Sequence, residues 1–297
     1  MAVKYNDDLE NKIVELYKQN ISPYQMVKII PELQGKRPSV IYGILKRKGI
    51  ESHRKCSLTD EQRLNRRKYN INDSYFEKID TEHKAYWLGF IYADGFINTT
   101  EDVIGISLSK EDINHLEKFK DDIEFTGPIH NYKGKGFIET DYVRIVIRSK
   151  QMKQNLISLG VYENKTDILK FPTLNQVPKE LIYHFIRGYI DGDGSITYGH
   201  IQKNGNKNYS IKITGTLDII QSIQHVLNTN VKLEQRYPDR NTDNWSLTIG
   251  GNKQVERILD LLYGNANVFL DRKYNRYIEL KQQAVVHGQV LQKTMND

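Results

Sequence analysis

The sequence predicts an α+β fold, two similar halves behind a small all-α module. Three observations carry this: a motif that recurs 99 residues downstream, period-two stretches interleaved with helical ones after each copy, and positive charge concentrated near the amino terminus. The 297 residues suffice for two compact domains, and 38% apolar with 10% aromatic residues supplies a core. No apolar run is long enough to span a bilayer, and Met1-Ala2-Val3-Lys4 opens no secretory signal. Cys56 is the only cysteine, which excludes a disulfide framework and a multi-cysteine zinc site. A soluble intracellular protein is expected, and its wealth of Lys, Asn, Ile and Tyr suits an A+T-rich phage or organelle genome.

Residues 1–70 carry 15 Lys and Arg against 8 Asp and Glu, whereas residues 71–297 carry 28 against 29. A basic front on a balanced body points to a polyanion partner. Three short helices are expected there. Leu9, Ile13, Leu16 and Tyr17 follow the acidic start Asp7-Asp8, and Ser22-Pro23 gives the favoured N-cap and first position. The third helix begins near Arg37-Pro38-Ser39 and stops at Gly49. Arg37, Ser39, Tyr42, Lys46 and Arg47 lie on its exposed side or ends, so the pair resembles a helix-turn-helix with a recognition helix for double-stranded DNA. Residues 1–52 are read as this domain and 53–74 as a basic linker that follows phosphates.

In the body, "EHKAYWLGFIYADGFI" (82–97) aligns without a gap on "LIYHFIRGYIDGDGSI" (181–196). Each copy is followed by the order two strands, helix, two strands, helix. Tyr142, Arg144 and Arg148 alternate with Val143, Ile145 and Ile147, and Ser210, Lys212 and Thr214 alternate with Tyr209, Ile211 and Ile213. One face of each sheet is thus apolar and the other polar. Residues 114–123 and 217–228 read as helices covering the apolar faces. The repeats are placed at 75–174 and 175–280, with a tail of no assigned role at 281–297.

Both motif copies are helical upstream of their last acid. Gly89 and Ala93 lie four apart, as do Gly188 and Gly192, and small residues at that spacing let two helices approach closely. Gly95 and Gly194 occupy the position of a left-handed residue ending each helix. Asp94 and Asp193 then fall at helix C-termini, where the dipole already presents negative charge. Two carboxylates at two such ends repel one another, and a divalent cation resolves the conflict; hard oxygen ligands suit Mg²⁺, with phosphates supplying further ligands.

"WLGFIYADG" (87–95) and "IRGYIDGDG" (186–194) resemble the LAGLIDADG motif of homing endonucleases over roughly residues 75–280. The resemblance implies two pseudo-symmetric αββαββα halves forming a monomeric saddle on double-stranded DNA, with no obligate protein partner. It further implies phosphodiester hydrolysis at a long asymmetric site with Mg²⁺, or Mn²⁺ in its place, Asp94 and Asp193 being metal ligands and catalytic acids. The first copy departs from the motif by carrying Tyr92 where the second keeps Asp191. The family places basic residues after the second strand pair, which selects Lys165 and Lys273 to polarise the phosphate or hold the attacking water. Tyr142, Arg144, Arg148, Lys212, Thr214, Lys232 and Arg236 are the expected contacts of the polar faces in the major groove.

Other readings fit less well. An EF-hand counted from Asp191 needs Gly where Ile196 stands and Glu where Gln202 stands. A haloacid-dehalogenase-type phosphatase leaves the duplication unexplained, and neither end carries intein splice chemistry. A catalytically inactive transcription regulator or an RNA-binding maturase of this fold is the serious alternative, and a regulator has no need for the Asp94 and Asp193 pair. His184, beside the second motif, is read as a packing residue.

Overall fold

The computed structural model describes residues 5–50, 67–134, 140–199, 201, 206–240 and 242–296, with side chains up to residue 284. Most of the expected basic linker, residues 53–66 with Cys56, lies outside the described residues. The chain divides into two units, Met1–Arg67 and Lys68–Asp297.

The first unit packs α1 (Asp7–Lys18), α2 (Pro23–Ile29) and α3 (Ser39–Arg47) around Ile13, Met26, Ile30, Leu33, Ile41, Ile44 and Leu45. Ser22 caps α2 in a reciprocal capping box with Gln25, as Ser-Pro at a helix start favours. Pro31 opens a single 3₁₀ turn, Pro31–Leu33, so residues 30–38 separate α2 from α3. That connection is longer than the three or four residues of a strict helix-turn-helix.

The second unit contains the same arrangement twice. The first copy runs α4 (Glu82–Asp94), β1 (Gly95–Asn98), β2 (Val103–Ser109), α5 (Ile113–Asp122), β3 (His130–Tyr132), β4 (Tyr142–Arg148) and α6 (Lys150–Ser158). The second runs α7 (Ile182–Asp193), β5 (Gly194–Tyr198), β6 (Tyr209–Gly215), α8 (Leu217–Val226), β7 (Leu233–Gln235), β8 (Trp245–Gly250) and α9 (Asn252–Tyr263), followed by α10 (Asp271–Asn296). Each copy forms a four-stranded antiparallel sheet, ordered β1-β2-β4-β3 and β5-β6-β8-β7.

The registers correspond residue for residue. Gly95 faces Ile106 and Ile106 faces Ile145; Gly194 faces Ile213 and Ile213 faces Leu247. Ser107 therefore corresponds to Thr214, and Arg144 to Ser246. The inward sets, Val143, Ile145 and Ile147 in one sheet and Ile211, Ile213, Leu247 and Ile249 in the other, are fully buried. Leu116 and Phe119 of α5, and Ile219, Ile220 and Ile223 of α8, join the same core. Burying each such side chain contributes about 1.5–3 kcal/mol, which fixes the register because a one-residue slip would expose the whole set.

Two expected boundaries move. Residues 68–74, read from sequence as linker, join the body: Asn72 N–H donates to Ile123 O at 2.9 Å and Asn70 N–H to Thr126 Oγ1 at 2.8 Å. The expected tail continues α10, with Lys281 bonded to Glu256 and Asp260, and Gln283 to Lys207.

Candidate active site

The site is built by the crossing of α4 and α7. A Cβ placed on Gly89 would lie 2.0 Å from the Phe185 carbonyl oxygen, and one on Gly188 would lie 1.9 Å from that of Tyr86. Only glycine at both positions allows the helices to touch backbone to backbone. One turn later the contact continues, since a Cβ on Gly192 would lie 2.3 Å from the Ala93 Cβ and 3.4 Å from Asp94 Oδ2. The Asp94 carboxylate thus rests against the residue that precedes Asp193.

Gly95 and Gly194 do not adopt the left-handed conformation expected of them. Their φ values of -75° and -95° are extended, and each starts a strand directly. Glycine is needed for closeness: a Cβ would stand 2.7 Å from the Ile91 carbonyl oxygen at Gly95, and 2.6 Å from that of Ile190 at Gly194.

Both carboxyls are perturbed. Burial and the Asp193 charge push Asp94 up to about 6, against the opposing pull of Lys273, Lys165 and Arg272. Asp193 is exposed along one side, yet the protein around it desolvates its carboxyl and raises it, with Lys165 and Lys273 opposing.

The two lysines expected to act on a phosphate are placed on the helix ends. Lys165 Nζ donates to the carbonyls of Ala93 and Gly95, at 3.1 and 2.5 Å. Lys273, only 2% exposed, donates to those of Ile190, Asp191 and Gly194 at 2.5, 2.6 and 2.6 Å. All three Lys273 ammonium protons are thereby engaged, whereas among the described residues Lys165 keeps one. The negative ends of both motif helices are therefore neutralised by the protein's own cations, a task the sequence reading gave entirely to a metal. Burial brings Lys273 down to about 8, with the Asp191 charge opposing, and likewise lowers Lys165. Thr214, expected on DNA, donates its hydroxyl to Asp193 O at 3.2 Å and belongs to the same cap.

Residues 180–263 match the family model described as the LAGLIDADG-like domain. They form a LAGLIDADG-like domain. The first half repeats its topology and register. No curated protein matches the sequence. Among solved structures, the chain is similar to the I-LtrWI LAGLIDADG homing endonuclease bound to target DNA, at 14% identity and a TM-score of 0.47, over 71% of this chain and 90% of that one. It is similar to meganuclease I-SmaMI bound to uncleavable DNA at 12% identity and 0.47, over 71% and 91%. Meganuclease I-AabMI bound to uncleaved DNA gives 13% and 0.42, over 70% and 91%. Likenesses of this degree carry no weight beside the family match and the geometry.

Arg144 is half-buried and Arg148 exposed on β4, the latter paired with Glu101 at 3.1 Å. Tyr142 stacks on Tyr132 with ring centroids 5.1 Å apart. Lys212 and Lys232 are exposed, and the Arg236 guanidinium lies over the Tyr237 ring. In the amino-terminal unit, Arg37, Ser39 and Lys46 are exposed and Tyr42 is half-buried. Arg47, expected on DNA, is exposed and pairs with the buried Glu10 at 2.5 Å.

Sequence reasoning missed a buried polar network behind the motif helices. Asp191, fully buried, accepts from Tyr86 Oη at 2.7 Å, Tyr263 Oη at 2.6 Å and Leu270 N–H at 2.8 Å. His115, held down to about 3 by burial and so neutral, reaches Tyr86 Oη at 2.9 Å. Arg187, 1% exposed, donates to Glu82 Oε1 at 2.7 Å, to the carbonyls of Leu262 and Val268, and to His184 Nδ1 at 3.0 Å. Glu82 in turn accepts twice from Asn267. In the first copy Tyr92 fills the place of Asp191 and donates to Leu159 O. The one signal available was polar residues on what is otherwise an all-apolar helical run.

Proposed function

We propose that the chain is a site-specific double-strand DNA endonuclease that hydrolyses phosphodiester bonds with a divalent metal at a long asymmetric target. The observation that supports this reading best is the Asp94 and Asp193 pair. Two carboxyls are held at abutting helix ends at a cost to the apo protein, visible in the raised Asp94 carboxyl, and among the described residues neither carboxylate accepts a hydrogen bond or forms an ion pair that would repay it.

The donor set fits Mg²⁺. Among the described residues no group of three or more His, Cys, Asp or Glu is arranged around a metal, so the chain offers two hard oxygen donors and leaves other positions to phosphate and water. When bound, the ion supplies Lewis-acid stabilisation of charge on the phosphate oxygens. The chain's own residues fix the geometry. The glycine crossing sets where the carboxylates stand, and Lys165 and Lys273 hold the helix-end carbonyls so that the carboxylates face outward charge with less internal repulsion. Lys165, with one proton unassigned, is the lysine able to orient a water or phosphate oxygen.

Positioning and electrostatics supply the rate enhancement, as in phosphodiester chemistry generally. Arg148, Lys212, Lys232, Arg236 and Tyr142 contact the major groove or backbone from the sheet faces. The 1–67 unit adds contacts to flanking DNA through Arg37, Ser39, Tyr42 and Lys46, raising affinity by tethering. Among the described residues no helix is long and apolar enough to cross a membrane. The test is incubation of the purified chain with Mg²⁺ and a library of genomic or randomised fragments, followed by sequencing of cut ends. Discrete cuts at one site, abolished by EDTA, support the reading. Tight binding without cuts in Mg²⁺ or Mn²⁺ turns it to a regulator or maturase.

A further inference from the structure

The two sheets correspond in register yet differ at their centres. Arg144 sits mid-sheet on the polar face of the first, opposite Ser107 on β2 and His130 on β3. Its counterpart in the second sheet is Ser246, opposite Thr214 and Glu234.

The Arg144 side chain is held from several directions. Its Nε donates to Ser107 Oγ at 2.7 Å. Its guanidinium carbon lies 5.4 Å from the Phe96 ring centroid, 5.3 Å from that of Tyr132 and 5.5 Å from that of Tyr142. Tyr132 and Tyr142 are themselves stacked within 9° of parallel, and Phe96 is seated over Gly105, whose absent side chain makes room for it. Among the described residues, neither Nη1 nor Nη2 has a hydrogen-bond partner. Among the described residues no acidic residue pairs with this arginine, in contrast to Arg148 with Glu101 and Arg47 with Glu10.

An arginine that merely follows phosphates does not require such restraint, because a flexible cation serves there. A fixed fork with two unengaged terminal nitrogens is the arrangement that reads the O6 and N7 acceptors of a guanine. Ordering the side chain in advance removes an entropy cost that binding would otherwise carry. We propose that Arg144 is a specificity-determining residue that reads one guanine in the half-site under the first sheet, with Ser107 and the three rings as its positioning residues. This rests on the DNA-cutting or DNA-binding reading above. Ser246 cannot form the same contact, so the symmetric position of the other half-site lacks this preference.

The experiment is selection of bound sequences by the full chain from a duplex library randomised over both half-sites, for the wild type and for Arg144→Ala, Arg144→Lys and Ser107→Ala. Thermal melts check that each variant is folded. The wild type is expected to enrich guanine at one position of one half-site. Arg144→Ala and Arg144→Lys should both lower that enrichment about tenfold, the scale of a bidentate contact, and leave other positions unchanged. Ser107→Ala should give an intermediate loss. The proposal is overturned if Arg144→Lys keeps the preference while Arg144→Ala weakens all sequences alike, since that marks a phosphate contact. It is equally overturned if no position changes. A wild type that selects no sequence at all overturns the DNA-reading function itself, a result distinct from either of these.

Discussion

Gly89 and Gly188 meet at the crossing of the two motif helices, each so close to the partner backbone that a methyl group at either would fall about 2 Å from a carbonyl oxygen. Neither helix can retreat without moving its sheet and its terminal carboxylate. The crossing therefore sets both the stability of the body and the separation of Asp94 from Asp193.

Gly188→Ala should cost about 3 kcal/mol, the upper range for overpacking, because the obstructing atoms are backbone. For a unit of this size that lowers Tm by roughly 6 to 12 °C in a thermal melt. Gly250→Ala, where a Cβ meets nothing within 4 Å, should change stability by less than about 0.5 kcal/mol.

Asp94→Asn should stabilise the apo protein at pH 8 and do so progressively less as pH falls. The folded carboxyl titrates near 6, above the unfolded value of 3.8, so the native state binds the extra proton between those values. Stability tied to this group is thus present below about 3.8 and lost as pH rises through about 6. Melting temperatures of both proteins across pH 4 to 8 check the sign. Divalent binding requires the ionised form, so cation affinity should weaken below pH 6 in the wild type.

Lys273→Met should destabilise more than Lys165→Met. The first strips donors from three carbonyls and leaves Asp191 buried without its cation, whereas the second strips two at a part-exposed site. Penalties of about 3 and about 1 kcal/mol are expected from urea unfolding. Equal penalties would show that the two helix ends are not capped as described.

Glu10→Gln should weaken the amino-terminal unit alone. Glu10 is 5% exposed and receives Arg47 from α3, so its loss releases an arginine that ties two helices together. A cost of about 1–2 kcal/mol is expected, between the values for surface and buried pairs. Calorimetry should show the first unit's transition lowered and that of residues 68–297 unchanged.

The helices, the strands and the paired acids were legible because each is written in local periodicity or in a repeat. Val143, Ile145 and Ile147 alternate in the sequence just as they are buried in the sheet. What was not legible was set by residues distant in sequence. Lys273 reaches carbonyls about eighty residues earlier, and nothing within "VFLDRKYNR" marks it as a cap. Gly95 and Gly194 looked like left-handed caps because glycine is common there; the true constraint is a close carbonyl, which only coordinates reveal. Asp191 and Arg187 were obscured by the same apolar run that made the helix easy to find. The pairing of Arg47 was hidden because its partner Glu10 lies on another helix.

The most direct measurement follows binding and cutting of one selected duplex by the wild type, Asp94→Asn and Asp193→Asn. Affinity is read in Ca²⁺ and single-turnover cleavage in Mg²⁺. The account predicts that both variants fold, bind within about threefold of the wild type, and cut at least about a hundredfold more slowly, as loss of an essential charged group implies. Cutting at the wild-type rate by either variant would contradict it. So would loss of folding and affinity together with cleavage, because the carboxylates would then be structural.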